Sequence, residues 1–481
     1  MKKKGLIMII LSIVAVVIVL VPLLFILSNA SEHGNISGHE NATEHGNTPE
    51  SPLDRNTKSV SEEPAQQVEE PVKDSIPDYT ADHEDLVLPE DIEDIEEEKA
   101  PPEETIFALS EADPELTAVL DDIASRYDCI AVSLVVYNGE SRDYYTYQYG
   151  YADISDQRPV DADTKFRVAS LSKLIVVICA MTLVEEGKLD LDADISDYLG
   201  YEVRNPEFPD VLITPRMLMQ HTSSIYDSNA YSSAGNRNSV DTAKRLLDSG
   251  SCYGKQQPGS NYRYSNFGYA ILGLICEILS GKRFDTLARD ILFDPLGIDA
   301  AYLPLNLRED TNIAAIYNRS HVLRRSVEAQ INSGDQSEQG SDHNQTPGNL
   351  MISVIDYAKV LTMLGNGGTI DGIRILSSDS VQSIHNADTT GKGYKQGLAT
   401  RLQNDPDMPE SGSYWHTGSA WGTFAQYNYY VSGDENRGVV VVTTGANTGR
   451  LENGMVEVCI ELSVSALKAT SQAHPASSRG A

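Results

Sequence analysis

The sequence predicts an α/β (α+β) domain: an antiparallel sheet assembled from both ends of the folded region, with helices packed on it and a helical middle. Three observations carry this. Strand-like apolar runs occur early, at Ile130–Tyr137 and Asp143–Tyr151, around an Asn138-Gly139 turn. They recur late, at Ser413–Thr417, Phe424–Val431 and Gly438–Thr444. Between the two groups the apolar spacing is helical, and no internal repeat accounts for it.

The chain before this domain has a different character. Lys2, Lys3 and Lys4 precede Leu6–Leu27, a run of 22 residues without a charge. At about 1.5 Å per residue such a helix crosses the roughly 30 Å of a bilayer core. The lysines favour a cytoplasmic N-terminus and place the rest of the chain outside. The run exceeds the about 7–15 apolar residues of a signal peptide, so residues 1–30 read as a single-pass cell-membrane anchor with an extracellular domain. Secretion after cleavage near Ala30, behind Ser28-Asn29, is the alternative.

Residues 31–104 read as a disordered acidic linker. They hold 23 Asp and Glu against four Lys and Arg, with almost no aromatic residues. Such a segment cannot bury enough apolar surface to offset the entropy of ordering, and its charge extends it. His33, His39 and His45 recur every six residues there, a spacing that suits no tight metal site. The chain's net charge of −33 divides into +3 for residues 1–30, −19 for this linker and −17 for the rest, a balance that argues against nucleic-acid partners. Five scattered cysteines without a C-x-x-C pair read as buried free thiols, and nothing in the chain calls for a metal or cofactor.

One domain is expected over residues 105–470, followed by a disordered tail over 471–481. It opens with a helix at Glu115–Tyr127, whose Leu116, Val119, Leu120 and Ile123 share a face. After the first strands comes Ser170–Glu186, apolar on nearly every side and stopped by Gly187, so it runs through the middle of the domain. Helices follow at Thr214–Gln220, Ser239–Asp248, Tyr269–Leu279 and Ile355–Leu364. Ser333–Thr346 reads as a loop, and a last helix covers Met455–Lys468.

Chemistry gathers at three places. Ser170 and Lys173, at i and i+3, share one face about 5–6 Å apart at Cβ. A helix N-terminus there favours an alkoxide and an oxyanion, and partial burial lets the lysine act as a base. The spacing is not specific, since Ser465 and Lys468 repeat it. Tyr264-Ser265-Asn266 is the only Tyr-x-Asn of the chain and precedes an apolar helix. Its phenol can relay a proton, and its amide can hydrogen-bond both a lysine and a substrate. His416-Thr417-Gly418, with Ser419 behind it, suits a sheet edge where a substrate backbone can pair.

These motifs, in this order, resemble the class C β-lactamase-like serine hydrolases, a family that includes DD-peptidases and carboxylesterases. The resemblance runs from about Thr117 to Thr444. It includes Gly150-Tyr151-Ala152-Asp153, Phe166–Lys173, Gly187–Asp192, Ile213–Ser224 with His221-Thr222-Ser223, Pro295–Ile298, Gly348-Asn349-Leu350 and Gly365–Gly368. It implies a β-lactamase/DD-peptidase-like fold, with Ser170 as nucleophile, Lys173 and Tyr264 as proton-transfer groups, and Asn266, His416, Thr417, Gly418 and Ser419 binding substrate. The backbone N–H groups of Ser170 and Ser419 would form the oxyanion hole. Which of Lys173 and Tyr264 is the base stays open.

Two departures qualify it. His416 stands where many family β-lactamases have lysine, and histidine is expected to give a weaker, pH-dependent positive charge. Ser224 replaces the usual glycine after His221-Thr222-Ser223, so that turn is expected to differ, and His221 reads as structural. The expected activity is acyl transfer through an acyl-Ser170 intermediate on D-alanyl peptides or esters of the cell envelope. The alternative is a protein that binds β-lactams or wall fragments with little turnover.

Overall fold

The computed structural model describes residues 103–234, 240–333, 346–391, 393–403, 412–432 and 435–473, all within the Glu93–Ala481 unit of the chain. The expected anchor, the expected linker up to residue 102, residues 474–481 of the expected tail and most of the expected loop at Ser333–Thr346 lie outside them, while residues 471–473 continue the last helix. Among the described residues no helix is long and apolar enough to cross a membrane.

The strands on the path of the main sheet are β1 (Thr105–Ala108), β2 (Ala131–Asn138), β3 (Asp143–Asp153), β4 (Thr389–Thr390), β5 (Lys395–Gln396), β6 (Arg401–Leu402), β7 (Tyr414–Ala420), β8 (Thr423–Ser432) and β9 (Glu435–Thr444). Their order is β1-β3-β2-β9-β8-β7-β6-β5-β4, so β2 and β9, from opposite ends of the domain, pair antiparallel at its centre. The expected sheet from both ends is present, with one correction. It is not wholly antiparallel, because β1 runs parallel to β3 at the edge. Helix α1 (Pro114–Arg126) connects this edge strand to β2.

Helices cover both faces of the sheet. Val132, Leu134 and Val136 of β2 pack with Leu116, Leu120 and Ile123 of α1 and with Cys459 and Leu462 of the last helix. Ala131, Val135 and Tyr137 face the larger core on the other side. A strand buried on both faces carries apolar residues on both, hence the run in β2, interrupted by the buried Ser133. Val119, assigned to the apolar face of α1, is instead 49% exposed. The first hairpin loop is also longer than an Asn-Gly turn: Asn138 accepts from the N–H groups of Glu140 and Ser141 at 2.9 and 3.1 Å, and Arg142 closes the loop at φ +63°.

The larger core is built around α2 (Ser172–Glu185), α3 (Asn266–Ser280) and α4 (Val354–Gly365), each buried through most of its length. α2 has nearly uniform hydrophobicity around its circumference, as a helix enclosed by protein requires. The last helix, α5 (Glu457–Ala473), lies on the opposite side of the sheet and contains Ser465 and an exposed Lys468, so that Ser-x-x-Lys pattern is surface sequence. All five cysteines are buried and unpaired.

Candidate active site

The nucleophile candidate sits just before α2 rather than inside it. Ala169–Leu171 forms a 3-10 turn, and Ala169 enters it at φ +49°. The turn is held from outside. Val168 N–H donates to Leu350 O at 3.0 Å, the Tyr357 hydroxyl to Leu171 O at 2.9 Å, and the Tyr302 hydroxyl to Ser172 O at 2.6 Å. An unfavourable backbone conformation persists only where its surroundings over-determine it, as these bonds do.

Ser170, Lys173, Tyr264 and Asn266 come together. Lys173 Nζ lies 3.1 Å from Ser170 Oγ, 2.8 Å from Asn266 Oδ1 and 2.7 Å from the carbonyl of Pro347. The Tyr264 hydroxyl donates to the same Ser170 Oγ at 2.7 Å. Lys173 is fully buried, and desolvation brings its pKa down to about 7, against the opposing pull of the Asp227 carboxylate. Burial moves Tyr264 the other way, up to about 12, so at neutral pH the phenol keeps its proton.

Asp227, which carried no signal in the sequence, organises this cluster. Its Oδ1 accepts from the N–H groups of Asn266 and Phe267 at 2.8 and 2.9 Å, at the start of α3. Its Oδ2 accepts from Asn266 Nδ2 at 2.8 Å. That fixes the amide, turning Oδ1 rather than the NH2 group toward Lys173. His221 packs beside the site: its Nδ1 accepts from Ser265 N–H at 3.2 Å, and its ring lies 4.4 Å from that of Tyr264. Ser224 takes φ +64°, so the turn keeps a left-handed residue despite lacking glycine, and Asn205 donates to its hydroxyl at 3.0 Å.

The third motif lies on β7. A Cβ added to Gly418 would stand 2.2 Å from Val168 O, so only glycine lets the strand press against the Ser170 turn. Thr417 and Ser419 share the opposite face, and Ser419 lines a cavity of about 320 Å³ together with Ser170 and Asn266. The expected positive charge at His416 is corrected. Its side chain is buried, and desolvation, reinforced by Arg401 and Lys173, holds the imidazole neutral, well below its usual pKa. Nδ1 lies 2.8 Å from Thr417 O, so it carries the proton. The buried cation nearby is Arg401 of β6, its guanidinium 4.6 Å from the Tyr394 ring centre and 5.0 Å from that of Trp415. Neither Arg401 nor Pro347 stood out in the sequence, because each reaches the site through sheet pairing or loop packing.

A family model described as Beta-lactamase matches residues 116–457, most of the chain. The chain belongs to the β-lactamase family. Among curated relatives, penicillin-binding protein 4 of Amycolatopsis lactamdurans is 29% identical over 237 residues, 46% of this chain and 56% of that one. Esterase EstB of Burkholderia gladioli is 25% identical over 377 residues, 72% of this chain and 94% of the esterase. The chain thus spans about half of the penicillin-binding relative and nearly all of the esterase. A class C β-lactamase structure from Rhodobacter sphaeroides superposes with a TM-score of 0.56 at 18% identity, over 74% of this chain and 99% of that one. The chain is thus a member of a serine-hydrolase family whose relatives include penicillin-binding proteins and an esterase, on a fold shared with class C β-lactamases.

Proposed function

We propose that this protein transfers acyl groups through an acyl-Ser170 intermediate, acting outside the cell on D-alanyl peptides or esters of the envelope. The observation that carries the proposal is the convergence of Lys173 and Tyr264 on Ser170 Oγ. As a neutral amine, Lys173 has two N–H groups and one lone pair. The carbonyl oxygens of Asn266 and Pro347 take the two N–H groups, leaving the lone pair for the Ser170 O–H. Lys173 is then the base, and the protonated Tyr264 the acid that passes a proton to the leaving group.

In that reading Ser170 Oγ attacks the substrate carbonyl while its proton moves to Lys173. The oxyanion is held by the N–H groups of Ser170 and Ser419, and collapse expels the leaving group with a proton from Tyr264. Water then reverses these roles and releases the acid. Asn266 and the β7 segment His416–Ser419 hold the substrate, with Arg401 rather than His416 supplying positive charge behind them. The anchor proposal rests on the Leu6–Leu27 run, and detergent-dependent extraction from membranes tests it.

Intact-mass spectrometry of the full-length protein in detergent, with several β-lactams and a p-nitrophenyl ester, tests the reaction. An adduct on wild type but not on Ser170→Ala, decaying on standing, is the expected result. An adduct that persists favours a β-lactam or wall-fragment binder, and absence of any adduct overturns acyl transfer.

A further inference from the structure

Beyond Ser419 the catalytic cleft is rimmed by a stack of three side chains. The Arg167 guanidinium lies 4.2 Å from the centre of the Trp421 ring, and that of Arg325 lies 4.6 Å from it. All three line the same cavity as Ser170. Arg167 is anchored, donating through Nε to Gly348 O at 2.8 Å and also bonding Asn349 Oδ1. Arg325 is exposed.

Two features make this more than a surface stack. Trp421 is held at φ +52°, a left-handed conformation unfavourable for a bulky L-residue, and is still 42% exposed. Gly422 behind it packs so closely that a Cβ would stand 2.1 Å from Tyr317 O, fixing the hairpin tip that presents the indole. The chain as a whole carries a net charge of −33, yet no acidic residue lines the cavity among the described residues. Burial, and after it repulsion from Arg325, depresses the Arg167 pKa to about 9, a cost that a bound anion relieves.

We propose that the Arg167–Trp421–Arg325 stack binds a carboxylate carried on the acyl part of the substrate. Stacking on the indole leaves the edge of each guanidinium to donate, and a planar carboxylate fits that edge with two parallel hydrogen bonds. The stack lies past Ser419, at the turn that joins β7 to β8. It therefore reads the end of the substrate remote from His416 and Thr417. This rests on acyl transfer at Ser170.

The test compares p-nitrophenyl hemiglutarate, whose acyl chain ends in a carboxylate, with neutral p-nitrophenyl valerate, each kcat/KM being divided by the rate of uncatalysed hydrolysis. The wild-type ratio should favour the anionic ester, fall about tenfold in Arg325→Gln and stay within about threefold of wild type in Arg325→Lys, since the charge is worth on the order of 1.4 kcal/mol. A ratio equal in wild type and Arg325→Gln overturns the inference. If neither ester forms a Ser170 adduct, the acyl-transfer reading fails and binding decides this one alone. Trp421 and the buried Trp415 are the only tryptophans, so glutarate should change the indole fluorescence of Ser170→Ala but not of Ser170→Ala/Arg325→Gln. No response to glutarate in the first protein overturns the inference.

Discussion

Lys173 and Tyr264 converge on one oxygen, approaching Ser170 Oγ to 3.1 and 2.7 Å. The same burial moves their pKa values in opposite directions, to about 7 and about 12. Desolvation disfavours a charged ammonium and a charged phenolate alike, so both groups are neutral over the same pH range. One is then an unprotonated base and the other a protonated acid, which is the pair that acyl transfer requires.

The first prediction follows for pH. kcat/KM for a p-nitrophenyl ester should rise with pH through an apparent pKa of about 7, as Lys173 loses its proton, and Lys173→Met should lower kcat by about 10³-fold or more. Stability should move too. The folded pKa lies below the 10.5 of an ordinary lysine, so between about 7 and 10.5 the unfolded chain binds more protons and this contribution to stability rises with pH. Chemical denaturation of wild type and Lys173→Met across that range checks both the sign and the window.

Asp227→Asn should act through Asn266. An amide at 227 can present an NH2 group to Asn266 Nδ2, and the Asn266 side chain then flips its own NH2 toward Lys173. A loss of about 10–100-fold in kcat is expected with a smaller change in KM, together with about 1–3 kcal/mol of stability from weakened bonds at the start of α3. Because the Asp227 carboxylate raises the Lys173 pKa, its removal should also shift the acid limb of the pH profile below 7. A profile that stays in place would show that Asp227 has no electrostatic role.

Gly418→Ala should be among the most damaging single-methyl additions. Its Cβ would meet Val168 O at 2.2 Å, where backbone on both sides must shift, costing about 2–3 kcal/mol and displacing the Ser170 turn. Gly187→Ala is the comparison. That glycine, unlike Gly418, has a positive φ of +68°, but nothing lies within 4 Å of an added Cβ, so about 1 kcal/mol is expected with activity retained. Thermal melts and ester turnover on the two variants separate backbone strain from collision at the site.

His416→Lys should weaken the protein rather than strengthen its grip on anions. The new ammonium would enter a buried position that already feels Arg401 and Lys173, at a cost of about 2–3 kcal/mol. The penalty should shrink by about 1 kcal/mol or more when Arg401 is replaced by Gln. Additive effects in that double-mutant cycle would place Arg401 outside the electrostatic reach of position 416.

Much of this protein was legible as sequence because its signals are local. The largely apolar runs of β2 and α2 disclose their burial, since an element enclosed by protein carries apolar residues on every face. Ser170 and Lys173 are three residues apart, and Tyr264 and Asn266 two, so their spacing alone suggested shared faces. What only the tertiary structure decided depends on contacts between distant segments. Asp227 reaches Asn266 across 39 positions and Pro347 reaches Lys173 across 174. Arg401 comes alongside the site only because β6 pairs with β7. The neutrality of His416 was likewise hidden, because a pKa depends on how much water the fold removes and which charges it gathers, and neither is written beside the residue.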